Sequence, residues 1–196
     1  MKKLAALALA SALFVTAPAE AAVEKYTFDT THTQVMFTVS HLGFSNSHGR
    51  FNTLSGGFSF DAEKPETSTV DVSIDTNSLY MASAPWEAHL KSADFFNVEK
   101  FPAMTFKSTK IEKTGDNTGK LTGDLTLLGV TKPVTLDVTF NKSGIHPMTG
   151  KMIAGFSASG ALKRSDFGMN FGLPGIGDDV TLDIQVEGVR EEAAKK

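Results

Sequence analysis

Apolar and polar residues alternate along most of the chain, a pattern typical of β-strands that bury one face and expose the other. The alternation is strongest in residues 121–127 and again in residues 134–140, where mostly leucine and valine alternate with threonine and aspartate. Residues 128–133 between them contain a glycine and a proline and predict a turn. We therefore predict an antiparallel hairpin with one buried face and one exposed face.

The stretch 85–97 interrupts this alternation. Trp86, Leu90 and Ala93 recur at the i, i+4, i+7 spacing that places side chains on one face of a helix, and Pro85 suits a first helical turn. Phenylalanines then crowd the connection before the alternation resumes. We predict a short helix with an aromatic connection, inserted between two strands as a lid.

Turn-forming residues separate the alternating segments over the whole of residues 22–196, and no second domain is visible. We count eight or nine strands. Because closure removes the unpaired edges of such a sheet, the predicted fold is all-β, an eight-stranded antiparallel barrel with a short helical lid near residues 85–97. The strand at residues 152–163 is long for a barrel that holds only a core, and small residues such as Ala158 and Gly160 lie in its inward row. These small residues either accept phenylalanine rings from across the barrel or leave space for a ligand.

Residues 1–21 have the features of a secretory signal peptide. Two lysines precede an apolar run at residues 4–15, and small residues suit cleavage after Ala21. The run is shorter than the roughly 20 residues that a transmembrane helix needs. We therefore expect residues 22–196 to form a single domain in the periplasm. Removal of two lysines and one glutamate with the signal changes the formal net charge from −3 to −4.

The composition disfavours several classes of protein. A mildly acidic chain without a basic run has no electrostatic footprint for nucleic acid. A chain without cysteine has neither disulfides nor thiolate metal sites, and its five histidines show no zinc-type spacing, so we expect no metal and no cofactor. An outer-membrane barrel would need an apolar outer face with aromatic girdles, which one tryptophan and two tyrosines do not supply.

Three histidines and two arginines are candidates for polar contacts with a ligand. His41 ends an inward row, His89 lies on the lid and His32 precedes a strand, so the three could gather at one end of the barrel and donate hydrogen bonds. Each could equally be a rim or core histidine satisfied by the backbone. Arg50 and Arg164 could grip two oxygens of an anionic head group, or form ordinary surface ion pairs.

A long, narrow and apolar interior suits a linear lipid tail. Each buried CH₂ contributes about 0.8 kcal/mol, so one five-carbon isoprene unit contributes roughly 3–4 kcal/mol before ordering costs. The predicted ligand-binding residues are mostly aromatic and comprise Phe37, His41, Phe44, Phe58, His89, Leu90, Phe95, Phe96, Phe101, Phe106 and Phe156.

Seven motifs, in this order and spacing, resemble the YceI-like family over essentially all of residues 22–196. The motifs are DTTHT (29–33), VSHLGF (39–44), GRF (49–51), HLKSADFF (89–96), FPAMTF (101–106), GDLTLLGVTKPV (123–134) and RSDFGM (164–169). The resemblance implies a secreted bacterial protein whose lipocalin-like antiparallel barrel holds a polyisoprenoid lipid.

The lid departs from the family pattern at one position. Where family members commonly carry a basic–acidic pair just before the His-Leu or similar dipeptide, this chain has Trp86 and Glu87. An indole cannot serve as the cation for a phosphate, so a neutral quinone or prenol suits this chain better than a pyrophosphate-headed lipid. The resemblance also suggests membrane redox proteins as partners, and the sequence leaves a homodimer open.

The expected function is a non-enzymatic carrier or store for an isoprenoid lipid. The alternative is an enzyme that acts on a bound lipid through His41 and His89, with a carboxylate such as Asp94. The sequence supplies no nucleophile held by a base, which favours the carrier.

Overall fold

A computed structural model of the protein describes residues 23–192. The predicted signal peptide at residues 1–21 lies outside the described residues. Among residues 23–192, no helix is long and apolar enough to cross a membrane. The helix is α1 (Ala84–Lys91), and the strands are β1 (Glu24–Phe28), β2 (Gln34–His41), β3 (Ser45–Phe51), β4 (Leu54–Phe60), β5 (Thr69–Asp75), β6 (Leu79–Tyr80), β7 (Ala103–Lys113), β8 (Thr118–Leu127), β9 (Val130–Ile145), β10 (Met152–Lys163) and β11 (Ile176–Arg190).

Eight of these strands close into an antiparallel barrel, in the order β1, β4, β5, β7, β8, β9, β10 and β11, because β1 pairs back onto β11. The predicted eight-stranded barrel is confirmed. The remaining strands, β2, β3 and β6, continue the barrel wall toward one end. Along β11, for example, Phe28 of β1 pairs with Gly188, and Val35 of β2 pairs with Ile184 further along the same strand. We call the end with α1 and the β2–β3 turn the lid end, and the end with the β7–β8 turn the turn end.

The predicted helical insertion is confirmed as the cover of the lid end. Helix α1 begins with Pro85 in its first turn, where an N–H would have no partner, and none of its residues is buried. The connection after it is buried at Phe96 and Val98. The amides of these two residues donate to the carbonyls of Leu90 and Lys91, so the connection folds back beneath the helix.

The glycines in the inward rows do not create space. A Cβ at Gly123 would lie 2.3 Å from Cζ of Phe106, and a Cβ at Gly160 would lie 2.7 Å from Cδ2 of Leu136. Large side chains from neighbouring strands therefore occupy these positions, which is ordinary large-to-small packing. Of the two alternatives that the sequence left open, filling by large side chains therefore holds at Gly160, where the side chain is a leucine, and it holds at Gly123 as well.

The hairpin of β8 and β9 turns more tightly than the sequence predicts. Only Leu128 and Gly129 separate the strands, and both have positive φ, 52° and 75°. Two residues of positive φ match the right-handed twist of the flanking strands. Pro133, expected in the turn, instead pairs with Asp124 within β9. It is tolerated there because β10 pairs with β9 only from Asp137 onward.

Candidate functional site

A cavity of about 620 Å³ runs through the barrel from the lid end to the turn end. Its walls are mainly apolar, and the inward row of β11, including Val180, Leu182 and Ile184, lines it. These residues are only partly buried although they face inward, because they border open space instead of neighbouring side chains. A cavity of this size falls in the range of small-molecule sites.

Nine of the eleven predicted ligand-binding residues line this cavity. Phe44 does not: it lies in the β2–β3 turn and is 90% exposed. Phe101 does not either, because its ring lies against the turn at Gly129, where an added Cβ would approach it within 2.9 Å. Both residues therefore leave the candidate set. The nine lining residues are Phe37, His41, Phe58, His89, Leu90, Phe95, Phe96, Phe106 and Phe156.

Two of the three candidate histidines, His41 and His89, line the cavity at the lid end, and the third does not. The ring of His41 lies 5.7 Å from that of Trp86 on α1. Nε2 of His89 lies 3.1 Å from Oδ2 of Asp94. His32 is exposed outside the cavity, so the expectation that all three gather is wrong for His32.

His32 instead belongs to a surface group with Asp29 and Glu187. Its Nδ1 lies 2.8 Å from Oδ2 of Asp29 and 4.0 Å from Oε2 of Glu187. One ligand atom from each residue lies within 4.8 Å of the other two, a spacing compatible with a metal ion. The sequence did not indicate this group because Glu187 is remote along the chain and comes beside His32 only through the pairing of the strands.

The charge pairing around His32 makes stability depend on pH. The Asp29 carboxylate raises the pKa of His32, and the imidazole lowers the pKa of Asp29. A raised folded-state pKa of His32 adds stability below about pH 6.5, and that contribution is lost as the pH rises through the folded value. We expect the difference in melting temperature between wild type and His32→Gln to shrink between pH 5.5 and pH 8.5.

Thermal unfolding at several pH values measures this difference. His48→Gln is the matched control. The ring of His48 contacts a neutral hydroxyl, that of Thr38, at 2.9 Å, whereas the ring of His32 contacts a carboxylate. A difference between wild type and His32→Gln that stays constant over the range would contradict the assignment.

The two arginines have opposite surroundings. Arg164 is 3% exposed and lines the cavity at the lid end. Its Nε, Nη1 and Nη2 donate to the carbonyls of Gly177, Met169 and Ile176 at 2.8, 2.8 and 2.9 Å. Burial lowers the pKa of Arg164 from its usual value. Arg50 lies outside the cavity, with its guanidinium 4.9 Å from the ring centre of Tyr80.

Most of the cavity lining was not predicted from the sequence, and two of the missed residues, Ser47 and Trp86, lie at the lid end. Trp86 was identified as part of the helix stripe but not as a lining residue. Ser47 lies on β3, a strand too polar to show a clear apolar alternation. The available signal was weak: Ser47 and Gly49 precede Phe51 at alternate positions.

Exposed apolar side chains surround the lid end. We call them the apolar rim. The amide of Leu42 donates to the carbonyl of Gly175, which joins the β2–β3 turn to the loop before β11. Phe171 of that loop contacts His89 with ring centres 5.2 Å apart. The rim consists of Leu42, Phe44, Trp86, Phe171 and Leu173.

The lining of the cavity is mostly apolar, with polar side chains at both ends. Among the described residues that line it, no hydroxyl is hydrogen-bonded to a histidine, the arrangement that activates a serine or threonine nucleophile. A mostly apolar wall with a limited number of polar groups is typical of sites that hold an apolar ligand.

Comparison with known sequences gives close relatives over nearly the full chain. A UPF0312 protein of Pseudomonas putida is 44% identical over 191 residues, which cover 97% of this chain and 98% of the relative. A UPF0312 protein of Pseudomonas aeruginosa is 44% identical over 190 residues, with the same two coverages.

Solved structures share the barrel. The YceI protein of Campylobacter jejuni is 36% identical and superposes with a TM-score of 0.69, covering 78% of this chain and 90% of that one. A polyisoprenoid binding domain from Saccharophagus degradans, 16% identical, superposes with a TM-score of 0.62 over 86% of this chain and 99% of that one, which shows the fold alone. The sequence model of the family described as 'YceI-like domain' matches residues 26–188 of this chain. This chain therefore belongs to the YceI-like family.

Proposed function

We propose that the protein is a periplasmic carrier or store that holds an isoprenoid lipid in its barrel cavity. The observation that carries the proposal is the continuous apolar cavity of about 620 Å³ beneath the lid. A linear chain of isoprene units matches its apolar lining, which extends from the lid end to the turn end. Burial of each unit is worth roughly 3–4 kcal/mol before ordering costs, so a few units suffice for tight retention.

Two further observations support this proposal. The apolar rim offers a lipid a route past the lid without exposing its tail to water. The Saccharophagus degradans domain, which shares the fold, is a polyisoprenoid binding domain. The predicted signal peptide at residues 1–21 is the basis for assigning the periplasm. Exchange of a bound quinone with membrane redox proteins is the partnership we propose for such a carrier.

Mass spectrometry of the bound lipid tests the proposal. The full chain is expressed with its signal, released gently from the periplasm, purified without detergent and extracted with organic solvent. We expect about one isoprenoid molecule per protein, with a neutral prenol or quinone head group, because the apolar cavity retains a ligand of several isoprene units. Protein that carries only straight-chain fatty acids, or no lipid, would contradict the proposal.

A further inference from the structure

One cavity hydroxyl differs from all the others. Thr33 donates to the carbonyl of Glu187, and Ser59 and Thr118 bond to other threonine hydroxyls. Ser68 accepts from the amide of Asp61. Ser47 is 8% exposed, and its Oγ has no hydrogen-bond partner among the described residues. A buried hydroxyl without a partner is costly, so this position favours a ligand that completes it.

Ser47 lies at the lid end of the cavity, within reach of other polar groups. It pairs with Val39 across β2 and β3, and His41 lies two residues beyond Val39 on the same face. Such diagonal neighbours lie about 7–8 Å apart, room for one small polar group between them. His41 also pairs with Ile176, whose carbonyl accepts from buried Arg164.

We infer that the head group of the lipid lies at the lid end, with an acceptor oxygen on the hydroxyl of Ser47 and within reach of His41. This inference rests on the proposed function and deepens it by orienting the ligand. The chemical class is an isoprenoid with an oxygen at its head, either a free alcohol or carbonyl or a phosphate. We expect the alcohol or carbonyl, because the three guanidinium nitrogens of buried Arg164 already donate to backbone carbonyls.

The tail then extends toward the turn end. There the apolar wall continues through Phe60 and Phe140, and the hydroxyls of Ser59 and Thr118 are already bonded. Exposed residues such as Lys113 and Asn117 line the last part of the cavity. A head group at this end would meet solvent-exposed side chains and hydroxyls that already have partners, so no buried polar atom of the described residues at this end needs a ligand to complete it.

Binding of matched probes tests the orientation. Delipidated wild type, Ser47→Ala and Ser55→Ala are titrated with farnesol, with farnesyl phosphate and with farnesane, the saturated hydrocarbon of the same skeleton. Removal of one hydrogen bond to the ligand weakens binding by about fivefold. We expect Ser47→Ala to lose about fivefold affinity for farnesol and for the phosphate, and none for farnesane. Ser55→Ala is the control, because Ser55 is exposed on β4 and does not line the cavity. It should bind all three probes like wild type.

The stability of the lipid-free proteins separates a ligand contact from a structural role. Ser47→Ala removes a hydroxyl that bonds to nothing in the described chain, so its melting temperature should equal or exceed that of wild type. Equal affinity of Ser47→Ala and wild type for farnesol would overturn the inference. Failure of wild type to bind any of the three probes would instead overturn the proposed function.

Trp86 provides an independent measurement of position. It is the only tryptophan of the chain, and it lines the cavity at the lid end. Hexadecanol brominated beside the hydroxyl should quench its fluorescence more strongly than hexadecanol brominated at the far end of the chain. Stronger quenching by the second probe would place the head group at the turn end and overturn the inference. The titration also shows whether the head-group oxygen belongs to an alcohol or to a phosphate. The class is the one whose probe, farnesol or farnesyl phosphate, binds wild type more tightly.

Discussion

Replacement of Ala158 by tryptophan is expected to yield folded protein that no longer retains lipid. Ala158 lies on the inward face of β10, between Val138 of β9 and Ile184 of β11, and all three line the cavity. A large ring at this position extends into open space, so the variant avoids the strain that overpacking causes in a filled core. The ring blocks the channel where the tail would lie.

The size of the effect follows from the burial of the tail. Loss of room for one isoprene unit removes roughly 3–4 kcal/mol of binding free energy, and each 1.4 kcal/mol is tenfold in affinity. The lipid that co-purifies with Ala158→Trp should therefore fall by more than about tenfold, measured by mass spectrometry per mole of protein. Circular dichroism should report an unchanged β-sheet.

The same strand offers a matched control. Ala161 pairs with Thr181 and is exposed on the outer face, so Ala161→Trp adds the same ring outside the barrel. It should retain lipid like wild type. Equal lipid content in Ala158→Trp and Ala161→Trp would mean that the ligand does not occupy this cavity.

Replacement of Arg164 by methionine is expected to produce the largest loss of stability, about 3 kcal/mol in the free energy of unfolding. Its guanidinium donates to three backbone carbonyls, those of Met169, Ile176 and Gly177. Methionine fills much of the space but donates nothing, so these carbonyls lose a charged donor in a buried place. The loss is partly offset because the charge itself no longer needs to be buried.

Urea unfolding of the lipid-free protein measures this loss. Arg50→Met is the matched control, because its guanidinium packs on Tyr80 at the surface, a contact worth about 0.5–1 kcal/mol. Equal stability of Arg164→Met and wild type would show that Arg164 does not anchor the segment from Met169 to Gly177, whose carbonyls it contacts.

The site was less predictable than the strands, and particular residues show why. Phe44 was expected inside because it is apolar, but Leu42 and Gly43 have positive φ and form a turn that leaves it in solvent. Ser47 was overlooked because a serine in a polar strand gives no signal of burial. Its burial in the cavity wall depends on neighbours such as Val39 of β2, which no local pattern identifies.

Local sequence determined the strands, the helix near Pro85 and the face that each strand turns inward. Side-chain direction has a period of two in a strand and 3.6 in a helix, so such features depend on residues close together in the chain. Only the tertiary structure decided that Phe106 fills the space beside Gly123 while Ala158 borders a void, and that His32 joins Glu187 rather than His41. Packing is collective: whether a ring fills the barrel depends on every side chain that approaches it from strands distant in sequence.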